Sequence, residues 1–208
     1  GAGVIALDHL AVAGETLDEA RIAVESALGV TLQPGGEHDV FFTHNMLLGL
    51  EDGLYLEAIA INPTAPVPER ARWFDLDRFS GPARLTNWIC RADDLGAALK
   101  ATPDGMGDPV QLQRGDLRWQ MAVPHSGILP FDGIAPALIE WQTATHPAGL
   151  LAASGVRLRR LTVRHPEAYS LKQAMKSLLS DDRVAYEQGP RALHAAFDTA
   201  HGPRELSG

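Results

Sequence analysis

The stretch that decides the fold is residues 7–12, Leu-Asp-His-Leu-Ala-Val, because a similar stretch returns later in the chain. Residues 85–90, Leu-Thr-Asn-Trp-Ile-Cys, have the same strand-like alternation of side chains. After the first stretch, Thr16 and Glu19 have the spacing of a capping box, and Gly29 ends a run of apolar residues at helical intervals. The repeated opening predicts an internal duplication in which each unit begins with a strand followed by a helix.

The elements that follow each opening are predicted to repeat in the same order. The strands predicted after the first helix are 30–33, 45–50 and 54–61, and those predicted in the second unit are 110–113, 118–123 and 137–142. Asp52-Gly53 is a strong signal for a tight turn, so 45–50 and 54–61 should form a hairpin. Each unit therefore has the order strand, helix, strand, strand, strand.

A third opening, residues 158–163, precedes a helix and two short predicted strands, so it is an incomplete copy. We predict an α+β protein with a first βαβββ module and linker at 1–82, a second βαβββ module at 83–150, and a carboxy-terminal βαββ extension at 151–208 packed on the same domain. The linker, 62–81, is interrupted by prolines and should cross between the modules.

Composition excludes several classes of function. The 208 residues are 45% hydrophobic and 21% charged, which is typical of an ordinary folded protein rather than a disordered one. A formal net charge of −8 disfavours binding to nucleic acid or to a membrane surface, and no apolar run is long enough to span a bilayer. The single cysteine, Cys90, cannot form an internal disulfide, so we expect a cytoplasmic protein.

Several spaced segments between residues 4 and 142 resemble the glyoxalase-like domain family of the vicinal oxygen chelate superfamily. The segments that carry the resemblance are Leu7-Asp8-His9-Leu10, Gly35-Gly36-Glu37-His38, Thr43-His44-Asn45-Met46-Leu47-Leu48, Tyr55-Leu56-Glu57-Ala58-Ile59, Leu129-Pro130-Phe131 and Leu138-Ile139-Glu140-Trp141. The resemblance implies two βαβββ modules that form a curved half-barrel around a small-molecule pocket.

The resemblance also implies a site, because metal ligands in this superfamily come from the first and fourth strands of each module. The corresponding positions here are His9, Glu57, Asn87 and Glu140. His9, Glu57 and Glu140 suit a divalent metal ion, with Glu57 or Glu140 doubling as the catalytic base. Asn87 is a weaker ligand than the histidine or carboxylate of many relatives, and it is expected to contact the substrate.

The residues themselves leave structural alternatives open. Glu57 and Glu140 lie on apolar strands, and a buried carboxylate must be paired, hydrogen-bonded or coordinated. If they approach each other across the pocket, they need a cation, a shared proton or an arginine such as Arg118 or Arg84. Trp88 and Trp141, which have the opposite parity to Asn87 and Glu140, are expected in the helix-facing core.

Three further residues are candidates for ligand contact. His44 and Asn45 open a strand after the Gly-Gly segment and are expected at the pocket mouth, although both types are also common at strand starts for local reasons. His125 lies on a loop before the last strand of the second module, where it would act in a lid or remain in an exposed turn.

Two hypotheses of function follow. The first is a glyoxalase-type lyase or isomerase in which a divalent metal ion stabilises an enolate or enediolate. The second is a metal-free protein that binds or sequesters a small molecule, as the bleomycin-resistance type of the superfamily does. Asn87 favours the second hypothesis, and the two glutamates favour the first. A homodimer is compatible with both.

Overall fold

The structure is a computed structural model that describes residues 4–208; residues 1–3, which the sequence prediction included in the first module, lie outside the described residues. The strands are β1 (Ile5–Ala13), β2 (Gln33–Glu37), β3 (Thr43–Gly49), β4 (Tyr55–Ile61), β5 (Arg84–Ala92), β6 (Asp108–Arg114), β7 (Leu117–Val123), β8 (Ala137–Trp141), β9 (Arg157–His165), β10 (Val184–Gln188), β11 (Ala192–Thr199) and β12 (Gly202–Ser207). The helices are α1 (Leu17–Leu28), α2 (Leu95–Ala101), α3 (Pro147–Leu150) and α4 (Ala168–Met175), and short 3-10 turns lie at Glu51–Gly53 and Trp73–Arg78.

The first helix has the ends that the sequence predicts. The Thr16 hydroxyl accepts a hydrogen bond from the Glu19 N–H, and the Glu19 carboxylate accepts one from the Thr16 N–H, so both halves of the capping box are present. Gly29 ends the helix in the left-handed conformation, with φ of 68°. Neither α1 nor another helix within residues 4–208 has the length and apolarity needed to cross a bilayer.

The predicted α+β fold class is confirmed, because the first eight strands form one sheet curled into a half-barrel. Their order is β2-β3-β4-β1-β5-β8-β7-β6, so the two modules join edge to edge through the antiparallel pair β1 and β5. Within each module the first strand runs parallel to the last, β1 with β4 and β5 with β8. The first strands of both modules therefore lie side by side at the centre of the sheet.

The second strand differs from the prediction for a physical reason. The predicted strand 30–33 overlaps β2 only at Gln33, and the rest of β2 contains Pro34, Gly35 and Gly36. A proline is tolerated because β2 is an edge strand, and Gly35 is needed because a Cβ there would lie 2.1 Å from Asn45 Oδ1 on β3. This segment therefore forms a strand despite its weak β propensity, because its glycine allows close approach to β3.

The carboxy-terminal extension has one strand more than the βαββ prediction. Strands β10, β9, β11 and β12 form a separate four-stranded sheet in that order, in which β9 is parallel to β10 and antiparallel to β11. In the first module, by contrast, the first strand is parallel to the last, so the extension is not a shortened copy. β12 packs against α1, and β11 and β12 contact β5. The module boundaries at 1–82, 83–150 and 151–208 remain a prediction.

Candidate functional site: a buried carboxylate and imidazole cluster

The candidate site is built around His9, whose imidazole lies between two carboxylates. His9 Nδ1 is 2.7 Å from Asp8 Oδ2, and His9 Nε2 is 2.9 Å from Glu57 Oε2. All three residues are buried, and the ring of Tyr55 stacks on His9 with centroids 4.4 Å apart. Since the register of β1 against β5 shifts between Leu7 and His9, a bulge re-aims the strand at this point.

The two carboxylates keep the imidazole protonated. Burial by itself would lower the pKa of His9, but the hydrogen bonds and negative charges of Asp8 and Glu57 outweigh it and raise the pKa to about 9. Both ring nitrogens then donate, one to each carboxylate. His9 is therefore an imidazolium that balances the charge of two buried acids.

Asp8 is a hydrogen-bond hub on the other side of His9. Besides the His9 ring, its carboxylate accepts from His146 Nε2 at 2.7 Å and from Trp141 Nε1 at 3.2 Å. His146 Nδ1 accepts from the Ala148 N–H, so the ring proton that remains lies on the nitrogen facing Asp8. Burial would raise the pKa of Asp8, but these hydrogen bonds from His146 and His9 hold it well below its usual range.

Glu57 is the member of the cluster with an unused acceptor. Its Oε2 bonds to His9, whereas its Oε1 is buried and has no partner at hydrogen-bond distance within residues 4–208, although the Asn45 side chain lies near enough to lower the pKa of Glu57. Burial alone would raise the pKa of Glu57, but the hydrogen bond and positive charge of His9 outweigh burial and lower it. Glu57 is therefore ionised at neutral pH, with one oxygen available to a hydrogen-bond donor.

The walls of the cleft come from both modules. The cleft is lined by Glu57, His9 and Tyr55 with His38, Asn45, Leu47, Trp73, Phe74, Arg114, Met121, Trp119, Ile139 and Trp141. Burial lowers the pKa of His38 to about 4, so His38 is neutral there. The volume of the cleft is only about 20 Å³, so a ligand larger than water requires a wall to move.

Arg114 closes the cleft from the second module. It lies on β6, and its Nη1 is 3.4 Å from Asn45 Oδ1, which also accepts from the Gly36 N–H at 3.0 Å. A Cβ at Gly36 would lie 2.6 Å from Arg114 Cδ, so the glycine makes room for this side chain. The guanidinium therefore brings a positive charge to the cleft that contains Glu57.

Glu140 does not share this cleft, and the prediction that it approaches Glu57 is wrong. Glu140 Oε1 accepts from the Leu95 N–H at the start of α2, and its Oε2 accepts from Gln120 Nε2, both at 2.9 Å. Trp141, its neighbour, lines the cleft instead of the helix-facing core. Trp88 does lie in the core, where its indole N–H donates to Ile134 O.

Strand register explains the error. His9 pairs with Ile89, and Ala11 pairs with Asn87. This pairing is symmetric, so a local two-fold axis relates the two modules and exchanges residue 9 with residue 87 and residue 11 with residue 89. Asn87 is therefore the counterpart of His9, as predicted. Glu57 pairs with Ala11, and the residue that pairs with Ile89 is Ala137. The counterpart of Glu57 is thus Ala137, three positions before Glu140, and an odd shift along a strand changes the face.

The remaining predicted residues are dispersed. Asn45 lines the cleft, whereas Asn87 lines a different cavity. His44 lies on the other side of β3, beside the start of α1, with its Nε2 buried and unpaired among the described residues. Arg118 and His125 are exposed outside the cleft.

Several residues of the site were not predicted from the sequence. They are Asp8, His38, Tyr55, Arg114 and His146. The one local signal was Asp8 itself, because an acid beside a histidine in an apolar strand needs a buried partner.

The residues do not fit the metal ion that the superfamily implies. Of the three predicted ligands, only His9 and Glu57 lie together. Glu140 bonds to the start of α2, and the counterpart of Glu57 is an alanine. Within residues 4–208 no group of three or more His, Cys, Asp or Glu side chains has the geometry to hold a metal ion.

The paired modules and the half-barrel sheet define a protein of the vicinal oxygen chelate fold. The family model for the glyoxalase-like domain matches residues 7–179, and the chain belongs to that family. No curated protein matches the chain.

Similar solved structures support the fold. A hypothetical protein from Staphylococcus aureus has a TM-score of 0.64 and 14% identity, covering 89% of this chain and 86% of that one. The Mn(II)-bound glyoxalase from Novosphingobium aromaticivorans has a TM-score of 0.50 and 8% identity, covering 100% of this chain and 83% of that one. Methylmalonyl-CoA epimerase from Mycobacterium tuberculosis has a TM-score of 0.42 and 17% identity, covering 70% and 93%. The first two likenesses concern the fold alone, and nothing is argued from the third.

Proposed function

We propose that this protein binds a small organic molecule in the cleft at Glu57 without a metal ion. The observation that carries the proposal is the buried, unpartnered Oε1 of Glu57. A buried charged oxygen without a partner costs about 1–3 kcal/mol or more, and a donor group of a ligand removes that cost. This proposal corresponds to the metal-free hypothesis that the sequence left open.

The cleft also indicates the chemistry of the ligand. Glu57 needs a hydroxyl or ammonium donor, and Arg114 suits a carboxylate oxygen. Trp119, Trp141 and Tyr55 supply aromatic walls for an apolar body. An apolar 2-hydroxy acid or amino acid has all three features.

Binding can be tested with phenyllactate and phenylalanine by calorimetry on protein kept in a chelator. We expect saturable binding of one probe, weakened about tenfold or more in Glu57→Gln and in Arg114→Gln, because each variant removes one polar contact. Glu205→Gln, at an exposed carboxylate on β12, is the matched control and should bind as the wild type does. Binding that disappears in chelator and returns with Mn²⁺ would overturn the proposal.

Metal-independent proton transfer is a second candidate function, favoured by the free oxygen of Glu57 in the same cleft as the Arg114 guanidinium. A carboxylate base and a cation that stabilises an enolate oxygen are the minimum for isomerisation beside a carboxylate. The lowered pKa of Glu57 makes it a weak base, so binding is the better supported function. The same bound probe in D₂O distinguishes the two, since deuterium enters at carbon 2 only if Glu57 removes that proton.

A further inference from the structure

A second cavity lies outside the Glu57 site, between the linker, the start of β5 and the turn that joins β10 to β11. Its volume is about 270 Å³, which is room for a small metabolite. Arg78, Arg84 and Arg191 line it, with Asn87, Leu129 and Asp132. The proposed function does not use this cavity.

The cavity holds the counterpart of His9. Asn87 corresponds to His9 under the two-fold that relates β1 to β5, and its side chain is buried in the cavity wall. Asp8 and Glu57 contact His9 in the first module, whereas the cavity beside Asn87 is lined by three arginines and two aspartates. The two modules thus differ in the charged side chains near these equivalent positions.

Two of the arginines are held in place by backbone oxygens. Arg84 Nη1 donates to Ser80 O at 2.8 Å and to Pro82 O at 3.0 Å, and its guanidinium lies 4.2 Å from the centre of the Phe79 ring. Arg191 Nε donates to Asp132 O at 2.5 Å. Within residues 4–208, the terminal nitrogens of Arg191 make no hydrogen bond, so they are available to a ligand. A guanidinium fixed in this way loses little entropy when it binds an oxyanion.

Arg84 and Arg191 bring two positive charges to the same cavity. Burial lowers the pKa of Arg191, the negative charges of Asp132 and Asp75 oppose this effect, and the positive charge of Arg84 adds to it. The nearby carboxylates already have partners: Asp75 pairs with Arg78 through both oxygens, and Asp132 Oδ2 accepts from His165 Nε2 at 2.7 Å. An added anion would relieve the repulsion between Arg84 and Arg191.

Strained backbone borders the same cavity. Phe74 and Asp75 have φ of 59° and 52°, and Phe131 and Asp132 have φ of 58° and 55°, all in the left-handed region that non-glycine residues rarely adopt. The Asp75 N–H donates to Gly127 O at 2.9 Å, which fixes the first pair against the loop of the second module. Such strain clusters where a fold holds a ligand clamp in one conformation.

We propose that this cavity is a second binding site, for a small organic anion whose carboxylate or phosphate group lies between Arg84 and Arg191. Asn87 at the cavity wall offers both a donor and an acceptor to the remainder of the ligand. The site is independent of the proposed function at Glu57, because the two cavities share only Phe74.

The test uses calorimetric titration of inorganic phosphate and of malonate at low ionic strength. We expect one of them to bind saturably, which identifies the oxyanion, and Arg191→Gln to weaken that binding about tenfold or more. Arg159→Gln is the matched control, since Arg159 is an exposed arginine on β9 outside the cavity. Asn87→Asp should also weaken binding by adding a negative charge, whereas Glu57→Gln should not change it.

Two results would overturn the proposal. One is the absence of saturable binding of either probe up to about 10 mM, which is weaker than a specific small-molecule site provides. The other is an equal loss in Arg159→Gln and Arg191→Gln, which would mean that the anions respond to overall charge. Because Glu57→Gln is included, failure of this site and failure of the Glu57 site are separate outcomes.

Discussion

At the scale of single residues, the site depends on one protonated histidine shared by two buried acids. Two carboxylates in the same buried cluster would repel without His9, and burying either charge unpaired costs several kcal/mol. The sequence could identify His9 and Glu57, because an imidazole and a carboxylate on apolar strands need a special partner. It could not show that they are each other's partners, since contact between β1 and β4 is set by the sheet and not by sequence spacing.

The stability of the protein should fall at alkaline pH because of His9. The pKa of His9 is raised from 6.5 to about 9 in the folded state, so its contribution is complete below the unfolded value and is lost as pH rises through about 9. We expect the free energy of unfolding in urea to decline between about pH 7 and about pH 10, and His9→Gln to remove this decline. At neutral pH His9→Gln should lower the free energy of unfolding by about 3–5 kcal/mol.

His194→Gln is the control for this substitution. His194 also pairs with a carboxylate, Glu205, at 2.9 Å, but both side chains are partly exposed, so the loss should stay below about 1 kcal/mol. Equal losses for His9→Gln and His194→Gln would contradict a buried, charge-balancing role for His9.

At the scale of elements, local signals and strand register contributed differently. Thr16, Glu19 and Gly29 fixed both ends of α1 in the sequence, because capping is decided within a few residues. The sequence did not show which side chains of β8 lie on which face of the sheet, because Ile139, Glu140 and Trp141 do not alternate clearly between apolar and polar types. Only the pairing of β5 with β8 shows that Ala137 corresponds to Glu57, and that pairing depends on the lengths of the loops before β8.

Glu140 should therefore behave as a structural residue of α2. Its carboxylate accepts from the Leu95 N–H and lies at the positive end of the helix, so Glu140→Ala should lower the free energy of unfolding by about 1 kcal/mol. Urea denaturation measures this change, and calorimetry with the Glu57-site probe should show unchanged affinity. Loss of probe binding at unchanged stability would mean that Glu140 acts in the site after all.

At the scale of the whole molecule, the linker between the modules is part of the cleft. Trp73 stacks on Phe41 with centroids 4.5 Å apart, and its indole N–H donates to Thr43 Oγ1 at 3.3 Å. Arg72 Nε next to it donates to Phe41 O at 2.9 Å. The prolines of 62–81 predicted irregular chain, but they gave no indication that its aromatic residues fill the concave side of the half-barrel.

Loosening this linker should open the cleft without disturbing the rest of the fold. Trp73→Leu removes the stacking and the hydrogen bond to Thr43, and it should cost up to about 5 kcal/mol of stability. Backbone hydrogen exchange measured by mass spectrometry should then rise in residues 70–79, because the free energy of local opening falls there. Trp88→Leu, an equal truncation in the core of β5, should raise exchange in β5 and leave 70–79 unchanged. Faster exchange of the linker in both variants would instead mean that the linker opens only when the whole sheet does, and the narrow cleft would then have no separate route for a ligand.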